Sequence, residues 1–408
     1  MTNSWRKYVV PWLGFLIALG MHLWQLDQPP QLVSDEVFFV NDGYNYVLGH
    51  PYFDPHPPLG KEQLGTVFTL FGFTPLTWRI LNAIEGALLV PLLWWLAWRF
   101  TRNRVAANLG AALVLLDGLT LVESRLGLIN IPYILYGLTA LGCTLKGLEV
   151  RRPGWWLLAA GVMIGAAVSV KWLALLMTTP TILLWIWPKL FGQTKNPEQP
   201  LWTWLTALGG LIFLPAVIYW LVFLRHFGWL GVTDTFFKTN AQMLNYHLSV
   251  PSHGGLYAQP WWGWLLLWKP FVYWAQPVGS SISAIVSLPN PWVWWTGAMF
   301  LLYSLVRGWR DPVLRGLNLF LLFAWIPFVF IQRIMYSYHA MPFGLFLTLL
   351  ASIILSRVWG RHRRWVVSYV VVAGLIFVWF LPWYLSFPLS HTEHQLRRWL
   401  PSWQLEPR

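Results

Sequence analysis

Hydrophobic residues along this chain gather into long windows with few or no charges, rather than alternating as they would in half-buried strands. Read in steps of about 19 residues, the windows are Tyr8–Leu26, Trp78–Trp98, Val105–Val122, Leu126–Leu145, Trp155–Trp172, Leu173–Leu190, Trp202–Leu224, Pro291–Val306, Leu317–Ile331, Ala340–Leu355 and Trp365–Leu385. Runs of this kind cross a hydrocarbon core as helices. The pattern therefore predicts an all-α polytopic membrane protein with about 11 transmembrane helices, two of which meet at Lys171-Trp172. The first window is followed by Gln25-Leu26-Asp27-Gln28-Pro29-Pro30 with no small-residue cleavage site, so it reads as a retained anchor.

Most polar intervals are as short as the connections of bundled helices. Two are far longer, Asp27 to about Pro75 and about His226 to Asn290. In the first, Val37–Leu48 and Leu64–Phe71 are amphipathic and suit the membrane interface. The expected organisation is an N-terminal transmembrane module, 1–225, that includes the first loop, 27–76; a second loop, 226–290; a four-span region, 291–386; and a tail, 387–408.

Composition agrees with this reading. The 408 residues are 57% hydrophobic and 11% charged, less than half the charge of an average soluble protein, which is about 25%. The net charge of +13 suits either nucleic acid or a membrane surface. Sorting it by loop decides. With the N-terminus inside, the inner segments hold 17 cations against three acids, and the remaining 11 cations face 12 acids. That is the positive-inside asymmetry of an N-in, C-out protein. The excess is spread over six separate segments, which leaves no nucleic-acid patch. The 32 tryptophans include Trp94-Trp95, Trp155-Trp156, Trp261-Trp262 and Trp294-Trp295, which fall near span ends or in the second loop, where indoles anchor at headgroup level. Cys143 is the single cysteine, so no disulfide or cysteine-based metal site forms within one chain.

Ionisable residues gather on the outer side. Asp35-Glu36 follows the first span. His56 and Lys61 sit in the proline-stiffened run Phe53-Asp54-Pro55-His56-Pro57-Pro58-Leu59-Gly60-Lys61. Arg79 and Glu85 begin the second span, Glu123-Ser124-Arg125 ends the third, Lys171 the fifth, and Arg333 the ninth. Charges at such depths mark a site or a wet cavity. A carboxylate pair among cations suits an anionic lipid headgroup beside a proton-accepting base. His56, His247, His253 and His339 match no compact metal motif; imidazoles there suit sugar or peptide equally well. No metal ligand is assigned, and a divalent cation stays open.

These residues, in order, resemble the protein O-mannosyltransferase family of the integral-membrane C-type glycosyltransferase (GT-C) fold. The resemblance is carried by Asp35-Glu36, His56-Pro57-Pro58-Leu59-Gly60-Lys61, Trp78-Arg79 through Gly86 and Val90-Pro91, Leu116-Asp117 to Ser124-Arg125, and Ala166 to Trp172. It continues through Gln242-Met243 with Tyr246-His247, His253, Tyr257, Trp261-Trp262, Lys269-Pro270, Asn290-Pro291, Trp294-Trp295, and Arg333 to Tyr338-His339. It implies transfer of mannose, with inversion, from a polyprenyl phosphate to a Ser or Thr hydroxyl of a secreted or membrane protein on the outer face of the bilayer. On that basis Asp35 is the base, with Glu36 and Arg79 its charged partners. Lys61, Arg79, Arg125, Lys171 and Arg333 are unranked candidates to offset the phosphate, and His56, Gln242, His247, His253 and His339 are candidates for substrate binding. Asn130 stands where the family usually has an acid and Lys269 where it usually has Arg, and the family's inserted β-trefoil is missing from the second loop. These departures suggest a prokaryotic plasma-membrane enzyme. A GT-C transferase acting on a lipid or wall polymer, or with another sugar, remains as an alternative. From a different class, so does a transporter.

Overall fold

The computed structural model describes residues 9–50, 52–193, 200–227, 232–251 and 254–405. Each of the eleven apolar windows lies largely on helix, because the backbone N–H and C=O groups of an apolar segment shielded from water are best satisfied by internal hydrogen bonds. The helices before the second loop are α1 (Val9–Leu23), α2 (Glu36–Leu48), α3 (Leu59–Phe71), α4 (Thr77–Thr101), α5 (Arg104–Leu115), α6 (Gly118–Ser124), α7 (Asn130–Glu149), α8 (Gly154–Val170), α9 (Leu175–Ile186), α10 (Leu201–Leu208) and α11 (Leu214–Phe227). A π-helical turn, Gly209–Phe213, joins α10 to α11. Then come α12 (Val232–Ser249), α13 (Gly263–Leu266), β1 (Phe271–Val278), β2 (Ser281–Ser287), α14 (Pro291–Arg307), α15 (Pro312–Trp325), α16 (Met341–Tyr384) and α17 (His391–Arg397).

Five described segments are long and apolar enough to cross a membrane: Thr77–Thr101, Asn130–Glu149, Leu201–Leu224, Pro312–Val329 and Ser337–Tyr384. The pair α5–α6, bent by 60°, makes a sixth. Helices α1, α8 and α9 are apolar but shorter. The 44 residues of α16, at about 1.5 Å each, exceed twice the hydrocarbon thickness. They cover two sequence windows, and the helix breaks between them at His362 (φ −127°, ψ 37°) within the basic run Arg361–Arg364.

The bend between α5 and α6 is built by side chains. Asp117 caps α6 by accepting from the Thr120 amide at 2.9 Å, while Asn290 donates to the carbonyls of Leu116 and Ala373, both at 2.9 Å. The broken helix is thus tied to the start of α14 and to α16.

The first long loop folds as α2 and α3 packed backbone to backbone. A Cβ on Gly65 would lie 2.6 Å from the Gly43 carbonyl oxygen, so no larger residue allows this approach. The second loop corrects the all-α expectation. β1 and β2 form an antiparallel hairpin with Phe271 opposite Ser287 and Val278 opposite Ser281. Its two-residue turn begins at Gly279, whose positive φ of 61° suits a type II′ turn. The run is rich in β-branched and aromatic residues, closed by Gly-Ser, and too short to span; its period was hidden inside a generally apolar sequence. The first half of β1 and nearly all of β2 are buried, and Ile282 bridges to Leu389 of the tail.

Candidate active site

Asp35 and Glu36 are neighbours in sequence but not in environment. Glu36 is fully buried. Its Oε1 accepts from Arg79 Nε at 2.8 Å and from the Gly127 amide at 2.7 Å; its Oε2 accepts from Arg79 Nη2 at 2.8 Å and from the Val33 amide at 3.0 Å. Arg79 spends its other donors on the carbonyls of Leu26, Pro29 and Gln31. Asn82, one turn along α4, holds the carbonyls of Leu126 and Leu128 at 2.6 Å and so presents the Gly127 amide. This knot fastens the first loop to α4 and to the turn before α7. It leaves neither oxygen of Glu36 for a substrate. One residue earlier is about 100° of helical rotation, and Asp35 is accordingly only half-buried. The Tyr338 hydroxyl donates to its Oδ2 at 3.4 Å.

The five candidate cations separate in the same way. Arg125 donates to the carbonyls of Met21, His22 and Trp24 at 2.7–2.9 Å, capping the end of α1. Lys61 is buried against Asp54 at 2.7 Å and the His56 carbonyl at 2.6 Å. With Arg79 these are structural commitments. Lys171 and Arg333 instead line one cavity of about 630 Å³, together with His56, His247 and His339; the remaining walls are mainly Leu, Phe, Ile, Met and Trp.

Lys171 lies at the break between α8 and the 3-10 turn Trp172–Ala174, in extended conformation (φ −157°, ψ 132°). Its ammonium donates to Asn130 Oδ1 at 2.9 Å and sits 5.6 Å and 6.0 Å from the ring centres of Tyr338 and Tyr133. Arg333 donates to Nδ1 of His247, whose Nε2 donates to the Pro55 carbonyl at 2.9 Å. His247 is therefore held neutral, its pKa lowered by burial and then by the Arg333 charge. His56 stands 5.4 Å from it, ring to ring; burial, followed by the charge of Lys171, pushes its pKa well down. His339 accepts from the Tyr336 amide at 3.2 Å and stacks on Tyr338 at 4.6 Å. Gln242 is exposed on α12 and is not in the cavity wall. His253 lies outside the described residues. Among the described residues no three His, Cys, Asp or Glu gather as metal ligands do.

A second cavity of about 510 Å³ shares Phe328, Ile331, Gln332, Arg333 and Met335 with the first, and its other lining residues include Gln259, Trp261 and Lys269. Sequence reasoning left Tyr338, Tyr273, Asn130 and Glu123 out of the candidate site. Glu123 carried a signal as a charge at a span end; Tyr273 carried none, since only the hairpin brings it inward.

Comparison with solved structures places this architecture among membrane glycosyltransferases of the C-type fold. The chain superposes over its full length on 94% of a chain of the S. cerevisiae protein O-mannosyltransferase Pmt1–Pmt2 complex bound to the sugar donor (TM-score 0.88, 14% identity). It superposes over 93% of its length on 71% of ArnT from Cupriavidus metallidurans bound to undecaprenyl phosphate (TM-score 0.60, 14% identity). The family model described as dolichyl-phosphate-mannose-protein mannosyltransferase matches residues 12–78 and 75–230. The chain belongs to that family. Among curated relatives, the polyprenol-phosphate-mannose–protein mannosyltransferase of Corynebacterium glutamicum is 26% identical, covering 89% of this chain and 83% of its own. That of Mycobacterium tuberculosis is 23% identical over 92% and 84%.

Proposed function

We propose that the protein moves mannose from a polyprenyl phosphate to Ser or Thr hydroxyls of secreted or membrane proteins, by a single inverting displacement on the extracytoplasmic face of a prokaryotic plasma membrane. The observation that carries this reading is the placement of a half-buried carboxylate, Asp35, beside Tyr338, whose ring also faces the Lys171 ammonium at the polar end of an apolar cavity. The apolar walls suit a lipid chain, and Lys171 and Arg333 suit its phosphate.

The chemistry then follows from charge. Asp35 takes the acceptor proton as the new C–O bond forms at the anomeric carbon, since a neutral hydroxyl is a poor nucleophile. The bond from that carbon to the phosphate oxygen breaks on the opposite side, and the two cations offset the charge growing on the departing phosphate. Glu36 and Arg79 position Asp35 by fixing the first turn of α2. Arg125 and Lys61 hold the surrounding loops. Neutral His56, whose Nδ1 has no partner among the described residues, offers a ring nitrogen for a sugar hydroxyl, and His247 holds Arg333 in place. The second cavity, which shares part of the first cavity's wall, is the acceptor approach; among the described residues its charged lining side chains, Lys269 and Arg333, are both cations. Eleven crossings with the N-terminus inside put both long loops on the outer face, as the loop charges require.

The test is a transfer assay with purified protein in lipid, comparing mannosyl with glucosyl polyprenyl phosphates and Ser/Thr peptides with lipid acceptors. Mannosylated peptide is the expected product. Transfer to lipid alone would move the protein to a sister activity of the same fold.

A further inference from the structure

Behind Lys171 lies a chain of hydrogen bonds that the mechanism above does not use. Lys171 donates to Asn130 Oδ1 at 2.9 Å, and Asn130 Nδ2 donates to Glu123 Oε2 at 2.9 Å. Glu123 Oε1 accepts from the Tyr273 hydroxyl at 2.6 Å and from Ser287 at 3.4 Å. Every member is buried, Glu123 and Ser287 completely. The four anchoring side chains come from α6, the first residue of α7, β1 and β2, and they converge on a lysine at a helix break.

The direction of each bond is informative. An amide has one acceptor face and one donor face, and which way it points is set by its strongest partner. A carboxylate can only accept, so Glu123 turns the Asn130 amine toward itself and its carbonyl oxygen toward Lys171. Glu123 is in turn held by two hydroxyls, one from each strand of the hairpin. A lysine side chain is otherwise a flexible stem with substantial rotamer entropy. We infer that Glu123, Asn130 and Tyr273 form a positioning relay that fixes the Lys171 ammonium at the cavity and couples the seating of the second-loop hairpin to binding of the donor phosphate. The relay rests on the reading of Lys171 as a phosphate ligand.

Tyr273 also stacks 6.3 Å from Tyr338, the ring whose hydroxyl reaches Asp35 and whose face meets Lys171. The hairpin therefore packs on the one ring that meets both Asp35 and Lys171, and a shift of β1 would reach the two through it.

The experiment measures binding of polyprenyl phosphate, and the donor KM and kcat, in four variants of the full chain in nanodiscs. Lys171→Met tests the underlying reading. It is expected to lose polyprenyl phosphate binding, and wild-type binding would sink that reading and the relay with it. Asn130→Leu removes both relay bonds and is expected to raise the donor KM about tenfold with a smaller change in kcat. Tyr273→Phe should raise it severalfold. Asn130→Asp is the conservative rescue: sharing one proton with Glu123, it keeps a donor toward Glu123 and an acceptor toward Lys171, so its donor KM should approach wild type at low pH and rise as that proton is lost. Wild-type KM in both Asn130→Leu and Tyr273→Phe, alongside lost binding in Lys171→Met, would overturn the relay alone. So would an Asn130→Asp pH profile identical to the wild type. Should Asn130→Leu fail to fold, the other two relay variants decide.

Discussion

Two charged regions of this chain are built on opposite principles. Around Arg79 the charges are sealed: Glu36 and Arg79 are both fully buried, and every oxygen of the one and several donors of the other meet protein partners. Around Lys171 and Arg333 the charges line a cavity, held at one edge by amides, rings and a neutral histidine. The first arrangement stabilises a loop and has no capacity left for a ligand. The second holds its cations in place while leaving one side of them facing open space. A buried charge is therefore no sign of catalysis by itself; what matters is whether its hydrogen-bonding capacity has been used up by the fold.

This contrast can be broken most directly at Glu36. Glu36→Ala leaves the Arg79 guanidinium buried and unpaired, which costs about 3–5 kcal/mol, a large share of the stability of a typical domain. Thermal unfolding in detergent should show a steep loss of stability together with loss of activity. A variant that stays fully stable and loses only transfer would erase the distinction between the two regions. Asp35→Asn is the complementary change. It should lower kcat by a factor of about 10²–10⁴ with an unaltered unfolding temperature, and wild-type turnover would remove Asp35 from the role of base.

Arg333→Leu sharpens the open side of the comparison. It removes a cation from the cavity without breaking a carboxylate pair, so the donor KM should rise about tenfold or more, with stability nearly unchanged. The mildest effect expected is on pH dependence. Burial and Arg333 lower the pKa of His247 in the folded state below its ordinary value of 6.5. The unfolded chain then takes up the proton first, so the stability contributed by the neutral ring is complete above pH 6.5 and declines as pH falls below it. Protonation would also remove the Nδ1 acceptor from Arg333. Unfolding temperatures measured from neutral pH to about pH 5 should fall in the wild type and fall less in His247→Gln; parallel curves would assign the acid sensitivity elsewhere.

Much of the architecture was legible in the residue order. Apolar windows marked the helices because a buried apolar segment has few ways to satisfy its backbone. Lys171-Trp172 marked the helix break, and the amphipathic stretches Val37–Leu48 and Leu64–Phe71 marked most of α2 and α3. The hairpin Phe271–Ser287 was not legible, because the first half of β1 and nearly all of β2 are buried on both faces and lack a clean alternation. Nor could the candidate cations be ranked: Arg125 and Lys171 look alike as charges near span ends, and only the carbonyls of Met21, His22 and Trp24 around one and the cavity beside the other separate them.

By itself, then, the sequence determined that this chain is a helical membrane protein, since hydrophobic length acts locally and needs no long-range contact. Which carboxylate of Asp35-Glu36 is sealed against Arg79, which cations line the cavity, and that Tyr273 reaches Glu123 across 150 residues were decided by tertiary structure alone. Whether a polar group is satisfied or left open depends on partners brought together from distant segments, and spacing along the chain does not record them.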